Sequence, residues 1–406
     1  MKNDNNSKQK KASKSWLIPF LNIVLLIIIG IMIGLFISTG IVGTFVEEER
    51  GIQGLLLALV FISVVVSGFL LVVVHEAGHL ITGIFSGYSF VSFRIFSTII
   101  LRRNGRFVFK RFSIPGTQGQ CLMSPPEPVG GGYPHRLYNA GGSILNFITA
   151  IAAVFPVLLS QSPYVRIIFI PFAALGTIFA AVNIIPMKMS GVANDGYNIQ
   201  TLNKRETGRR AFWLILHINA RVAEGMRLRD MPPEWFEFPD DADVSDVMIA
   251  ATANYRLSYL IDRLELDRAR EFGQGILDRA DKMLEIYKNE IRCEMLFLEI
   301  IGQRRSEVID PLYTKQLKKY IKYSALMISK QQLMYAYAKL VSDDEQEAAR
   351  ILVQFEKTCT TYPNEGEIES AREMIALVNR LANAAPDRVD KELAGGEDAP
   401  EHTDTE

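Results

Sequence analysis

The chain has 406 residues, a net charge of −1 and 49% hydrophobic residues. That length allows two or three domains, and the near-zero charge gives no field that would point to nucleic acid. Its three cysteines, Cys121, Cys293 and Cys359, have no paired spacing, which excludes a disulfide scaffold and a cysteine zinc site and suits free thiols in a reducing cytosol. The two halves differ: residues 1–200 hold nearly all the long apolar runs, and residues 201–406 read as soluble and charged.

Residues 1–14 are basic, with Lys2, Lys8, Lys10, Lys11 and Lys14 against Asp4. The first charge-free run, Ser15–Val46, exceeds the ~7–15-residue apolar core of a signal peptide and reads as a span. An acidic loop, Glu47-Glu48-Glu49-Arg50, leads to a second span, charge-free from Gly51 to Val74 and apolar to about Phe85. A third lies within Leu137–Val165 and a fourth is Ile167–Met187. Each covers the ~20 residues that cross hydrocarbon. Segment 86–138 carries seven basic residues (Arg94, Arg102, Arg103, Arg106, Lys110, Arg111, Arg136) against Glu127, so the positive-inside rule puts it and both termini in the cytoplasm. Within it, Asn104-Gly105 separates Ile99–Arg103 from Arg106–Lys110, the signal for a two-residue hairpin. The alternatives are a membrane-associated β-hairpin whose edge pairs with an unwound substrate, and an ordinary loop.

At the cytoplasmic end of the second span lies His75-Glu76-Ala77-Gly78-His79. On a helix, residues i and i+4 share a face, so both imidazoles can meet one metal ion with Glu76 beside them. Zinc suits that set, and the carboxylate can then take a proton from metal-bound water. A third ligand is needed, and the membrane half offers His135 and Asp195. Asp195 follows the fourth span, whose end returns to the depth of His75; an acid there also suits a turn or a cap. Asn146, buried on an apolar span, suits either a site residue or a link between helices.

Taken together, His75–His79, then Gly142-Ser143-Ile144-Leu145-Asn146, then Asn183–Pro186 and Asp195-Gly196, resemble the site-2 protease family of intramembrane zinc metallopeptidases over roughly residues 52–200. The resemblance implies zinc on His75, His79 and Asp195, with Glu76 as general base and then general acid. It further implies that Asn146, Gly142, Asn183 and Pro186 bind the substrate, Asn146 near the developing oxyanion. Met187–Asn194 make the gap between the proline and Asp-Gly longer than in the family.

Beyond residue 200, the arginine-flanked segment Ala211–Arg229 reads as a juxtamembrane helix, and Met231–Asp243, rich in proline and acids, as a linker. Helices are expected over 245–264, 266–286, 289–304, 312–326, 329–342, 344–360 and 365–384. Leu333–Tyr362 resembles a tetratricopeptide helix pair, against the alternative of a generic helical domain. Residues 385–406 read as a disordered acidic tail.

The expectation is therefore a mainly α protein. A polytopic membrane domain of about four spans (15–200) follows the basic N-terminus, and a juxtamembrane helix and linker (201–244) lead to a soluble helical domain (245–384) that binds a partner or a second copy. The expected activity is zinc-dependent cleavage of single-span membrane proteins or remnant signal peptides in a prokaryotic cell membrane. The alternative is an inactive scaffold that recruits partners through 245–384. A metal transporter would need ionisable residues on more spans than this chain offers.

Overall fold

The computed structural model describes residues 25, 28–35, 37–42, 50–103, 105–114, 117–189 and 192–383. The chain divides into two compact units, Met1–Ile95 with Gln118–Glu206, and Phe96–Thr117 with Thr207–Glu406. The hairpin around Gly105 thus belongs to the second unit, although its sequence is inserted into the first.

Three helices of the first unit, α1 (Arg50–Phe85), α2 (His135–Leu159) and α3 (Pro163–Ile184), are long and apolar enough to cross a membrane. Their most apolar windows have mean hydropathies of 3.0, 2.1 and 2.2. Leu57, Phe61, Val65 and Phe69 of α1 are all exposed. Such a face is a liability in water and matched in hydrocarbon, where a helix satisfies its own backbone. The first predicted span, 15–46, lies mostly outside the described residues. Its described end is a π-helical turn, Ser38–Val42, with Gly40 against the Ile170 side chain and Ile41 buried. The basic N-terminus and the acidic tail lie outside the described residues.

Helices α1 and α2 approach at glycines. A methyl group on Gly78 would strike the Gly141 carbonyl, and one on Gly141 would strike Gly78 and Thr82. Small residues at a crossing let the backbones pack directly, which is how apolar helices associate where no hydrophobic drive separates them from lipid. Farther along, an apolar cavity of about 610 Å³ is lined by Leu59, Val66 and Leu70 of α1, Thr149 of α2, and Ile168 and Phe172 of α3.

Four strands follow α1: β1 (Ser89–Ile95), β2 (Thr98–Arg103), β3 (Arg106–Arg111) and β4 (Gly119–Ser124). In the first unit β1 pairs antiparallel with β4, in a register that sets Phe93 opposite Cys121 and Arg94 opposite Gln120. After α3, a short hairpin of β5 (Lys188–Met189) and β6 (Val192–Ala193) leads into helix α4 (Asp195–Leu202).

In the second unit β2 and β3 form the predicted hairpin, with Leu101 opposite Val108 and Arg103 opposite Arg106. Gly105 takes φ of +76°, the left-handed backbone that such a turn requires. Period-2 alternation divides its faces: Ile99 and Leu101 are buried, whereas Phe107 and Phe109 are exposed. Among the described residues, nine α-helices complete the unit: α5 (Glu206–Ala223), α6 (Val247–Asp262), α7 (Leu266–Leu277), α8 (Glu285–Ile301), α9 (Ser306–Leu312), α10 (Lys315–Tyr323), α11 (Ile328–Leu340), α12 (Glu345–Thr361) and α13 (Glu365–Asn383). Its core holds Leu257, Leu296, Phe297, Phe355 and Val378. The corner between α12 and α13 grips the hairpin. Arg103 Nη2 donates to the Pro363 carbonyl at 2.9 Å and Lys110 Nζ to that of Tyr362 at 2.6 Å. Arg103 also pairs with Glu365, and Phe112 stands edge-on to Tyr362 at 4.9 Å.

Candidate metal centre

His75 and His79 sit one helical turn apart on α1, so their rings share a face, with Nε2 atoms 3.2 Å apart. Asp195 opens α4 and brings Oδ2 to 3.3 Å from His75 Nε2 and 3.4 Å from His79 Nε2. A tetrahedral ion with bonds of ~2.0–2.1 Å holds its ligand atoms about 3.3 Å apart. The three separations here therefore match the edges of one face of such a tetrahedron.

The hydrogen bonding also asks for a cation. His79 Nδ1–H donates to the Tyr138 carbonyl at 2.8 Å, which fixes the tautomer and turns the Nε2 lone pair toward the triad. Asp195 brings its carboxylate to the same point from the start of α4. Its Oδ2 is a buried atom with no well-aligned donor. Acceptors thus converge on one point, which is costly unless a cation sits among them. The described residues include this one group of three metal-ligating side chains, and its two imidazoles and carboxylate are a zinc-type donor set.

Asn146 is fully buried, with Nδ2 3.3 Å from His75 Nδ1 and Oδ1 lacking a partner. A His75 that offers Nε2 to a metal carries its proton on Nδ1, so the amide belongs in the other orientation, with Oδ1 accepting from His75. A β-carbon on Gly142 would fall 2.5–2.6 Å from the His75 ring nitrogens. Its missing side chain is the space that the ring occupies.

Asp195 owes its position to Asn194. The Asn194 side chain donates from Nδ2 to the Val182 and Ile185 carbonyls, both at 2.6 Å. Its Oδ1 accepts from Met187 N–H at 3.1 Å and from Tyr197 N–H at 2.9 Å, the second as N-cap of α4. One amide thereby ties the end of α3 to the start of α4. The β5–β6 hairpin takes up the long gap before Asp195, so the extra residues do not displace the carboxylate. Gly196 lies against the Asn183 and Ile184 carbonyls, and a methyl group there would collide with Ile184 O.

Of the other predicted residues, Asn183 turns its amide to Phe179 O of its own helix at 2.9 Å, and Pro186 lies in the link between α3 and β5. His135, the alternative third ligand, is elsewhere: Nδ1 meets Tyr133 O and Nε2 meets Asn203 Oδ1, each at 3.1 Å. Glu76 is buried against β4, where the Cys121 N–H donates to its carboxylate and the Gly119 α-carbon lies beside it. Tyr138, Asn194, Gly119 and Cys121 were not anticipated. Only Asn194 had a sequence signal, a capping residue directly before a helix. No protein-family model matches this chain, and no curated protein or solved structure does either.

Proposed function

We propose that the protein is an intramembrane zinc endopeptidase. The observation that carries the reading is the convergence of His75, His79 and Asp195 at tetrahedral spacing, with Glu76 in the same helical turn and at one end of an apolar span. When bound there, zinc supplies an acidified water and polarises the scissile carbonyl. His75, His79 and Asp195 hold the ion, and the Tyr138 carbonyl and Asn146 amide orient the two imidazoles. Glu76 takes the proton of the attacking water and delivers it to the leaving amine. Its burial against β4 keeps the carboxylate away from bulk water, where a proton would exchange freely.

The substrate class follows from the surroundings. A transmembrane helix hides its carbonyls in its own hydrogen bonds, so cleavage requires local unwinding beside the metal. The apolar cavity on α1–α3 includes Leu70, five residues or roughly 7.5 Å along the helix from His75, and offers room for an apolar segment. Single-span membrane proteins and remnant signal peptides fit that description. The basic residues of 86–138 favour a cytoplasmic active-site end. On the β2–β3 hairpin, Ile100, Phe107 and Phe109 share a face with Arg102 and Arg111, an amphipathic pattern suited to the bilayer interface. The helical unit is the part available to a protein partner or a second copy.

The test compares Glu76→Gln and Asp195→Ala with the unaltered protein in proteoliposomes carrying single-span substrates. Glu76→Gln is expected to retain about one zinc per chain and to lose cleavage. Asp195→Ala is expected to lose both. Undiminished cleavage by Glu76→Gln would remove the carboxylate from the mechanism and the reading with it.

A further inference from the structure

Arg94 is the bulkiest fully buried side chain among the described residues, 1% exposed. A guanidinium cannot shed its charge, so burying it is costly without an anion and hydrogen-bond acceptors. The structure supplies an acceptor on β4: Arg94 Nη2 donates to the Gly119 carbonyl at 3.4 Å. The same Gly119 lies flush against Glu76, since a β-carbon on it would fall 2.6 Å from Glu76 Oε1 and 2.7 Å from Cγ. Two residues on, the Cys121 N–H donates to that carboxylate. Of the described acids of the first unit, Asp195 lies with the two histidines, and Glu76 lies beside Gly119. Burial lowers the Arg94 guanidinium, and the Glu76 charge is the opposing influence on it.

We propose that Arg94 is the counter-cation and positioning residue of Glu76. Strand β1 carries it to the Gly119 end of β4, so that guanidinium, glycine gap and Cys121 N–H form one cradle for the carboxylate. The cradle fixes the side chain that the peptidase reading, on which the catalytic part of this inference rests, uses to move protons. A planar, permanently charged fork suits that task better than a flexible ammonium.

The experiment is a double-mutant cycle on the full chain in detergent, read as the thermal midpoint of Arg94→Met, Glu76→Gln and the double variant. Each single change leaves a buried charge without its partner, and the double change removes both. The double variant is therefore expected to recover at least half of the summed loss in midpoint. Additive losses would overturn the pairing. Should Arg94→Met not fold, Arg94→Lys with and without Glu76→Gln closes the same cycle.

Cleavage supplies the second readout. Arg94→Lys should retain more kcat than Arg94→Met, both with unchanged KM and zinc content; equal kcat in the two would overturn the positioning role. If the unaltered protein cleaves nothing, the peptidase reading fails, while the thermal cycle still decides the Arg94–Glu76 pairing.

Discussion

Replacing Asn194 tests how the third ligand is held. Its side chain makes four hydrogen bonds, two as donor to Val182 and Ile185 carbonyls at 2.6 Å and two as acceptor from Met187 and Tyr197 amides at 3.1 and 2.9 Å. Loss of the cap costs about 1 kcal/mol, and each remaining bond contributes ~0.5–1.5 kcal/mol net. Asn194→Ala should therefore cost about 2.5–5.5 kcal/mol in the first unit, visible as a fall of the thermal midpoint in detergent by roughly 5–20 °C. The more discriminating variant is Asn194→Asp. As an N-cap, aspartate equals asparagine, so capping alone predicts no loss. Here, however, the atom facing two carbonyl oxygens at 2.6 Å is a donor, and aspartate would put a third oxygen among them. Asn194→Asp should therefore be at least as destabilised as Asn194→Ala, and both should bind zinc more weakly because Asp195 is the next residue. A wild-type midpoint for Asn194→Asp would refute the argument that the amide acts as a two-sided tie.

Other outcomes follow from the same geometry. Gly142→Ala should weaken zinc binding about 10-fold or more, as changes to ligand-orienting groups do, because the new methyl occupies the His75 ring's place; calorimetric zinc titration reads this out. Tyr362→Ala, which empties a 1%-exposed site beside Phe112, should cost ~3–5 kcal/mol, and it should speed amide exchange over residues 98–111. Glu365→Arg, which reverses one partly exposed ion pair, should cost no more than ~1 kcal/mol. In α8, burial pushes the Glu294 carboxyl up to about 7. Because that folded value is raised, its contribution is intact below the unfolded value of 4.5 and is lost as pH rises through 7. Glu294→Gln should flatten the midpoint's pH dependence across that window, and an unchanged profile would show that the group does not govern it.

Much of the fold was legible because its signals are local. Charge-free runs located α1, α2 and α3, and alternation around a glycine turn located β2 and β3. Most helices of the second unit fall within a few residues of their expected places. The departures have local causes too: the stretch expected over 266–286 stops at Leu277, and Ser306–Leu312, a short helix containing Pro311, was not expected. Strands β1 and β4 were not legible. Their partners lie about 25–35 residues apart in sequence, and β4, Gly-Gln-Cys-Leu-Met-Ser, has little of the β-branched composition that marks a strand. The assignment of the β2–β3 hairpin to the second unit was equally hidden, since it depends on how Arg103 and Lys110 meet residues some 250 positions away.

The site divides along the same line. The convergence of His75 and His79 was legible because helical spacing alone puts them on one face. What tunes those ligands was not, because it is supplied by backbone: the Tyr138 carbonyl on His79 and the Cys121 amide on Glu76 leave no trace in residue type. Arg94 shows the opposite failure. It was counted only as one of the cations that place segment 86–138 in the cytoplasm, since sequence counts charges without saying which are buried. A buried arginine identifies itself only through what it must face, and here that is Gly119, whose missing side chain makes room for Glu76. Glycines such as Gly119 and Gly142 therefore carry site information that a search for reactive side chains passes over: each marks where a side chain of the candidate site, Glu76 or His75, occupies the volume a β-carbon would fill.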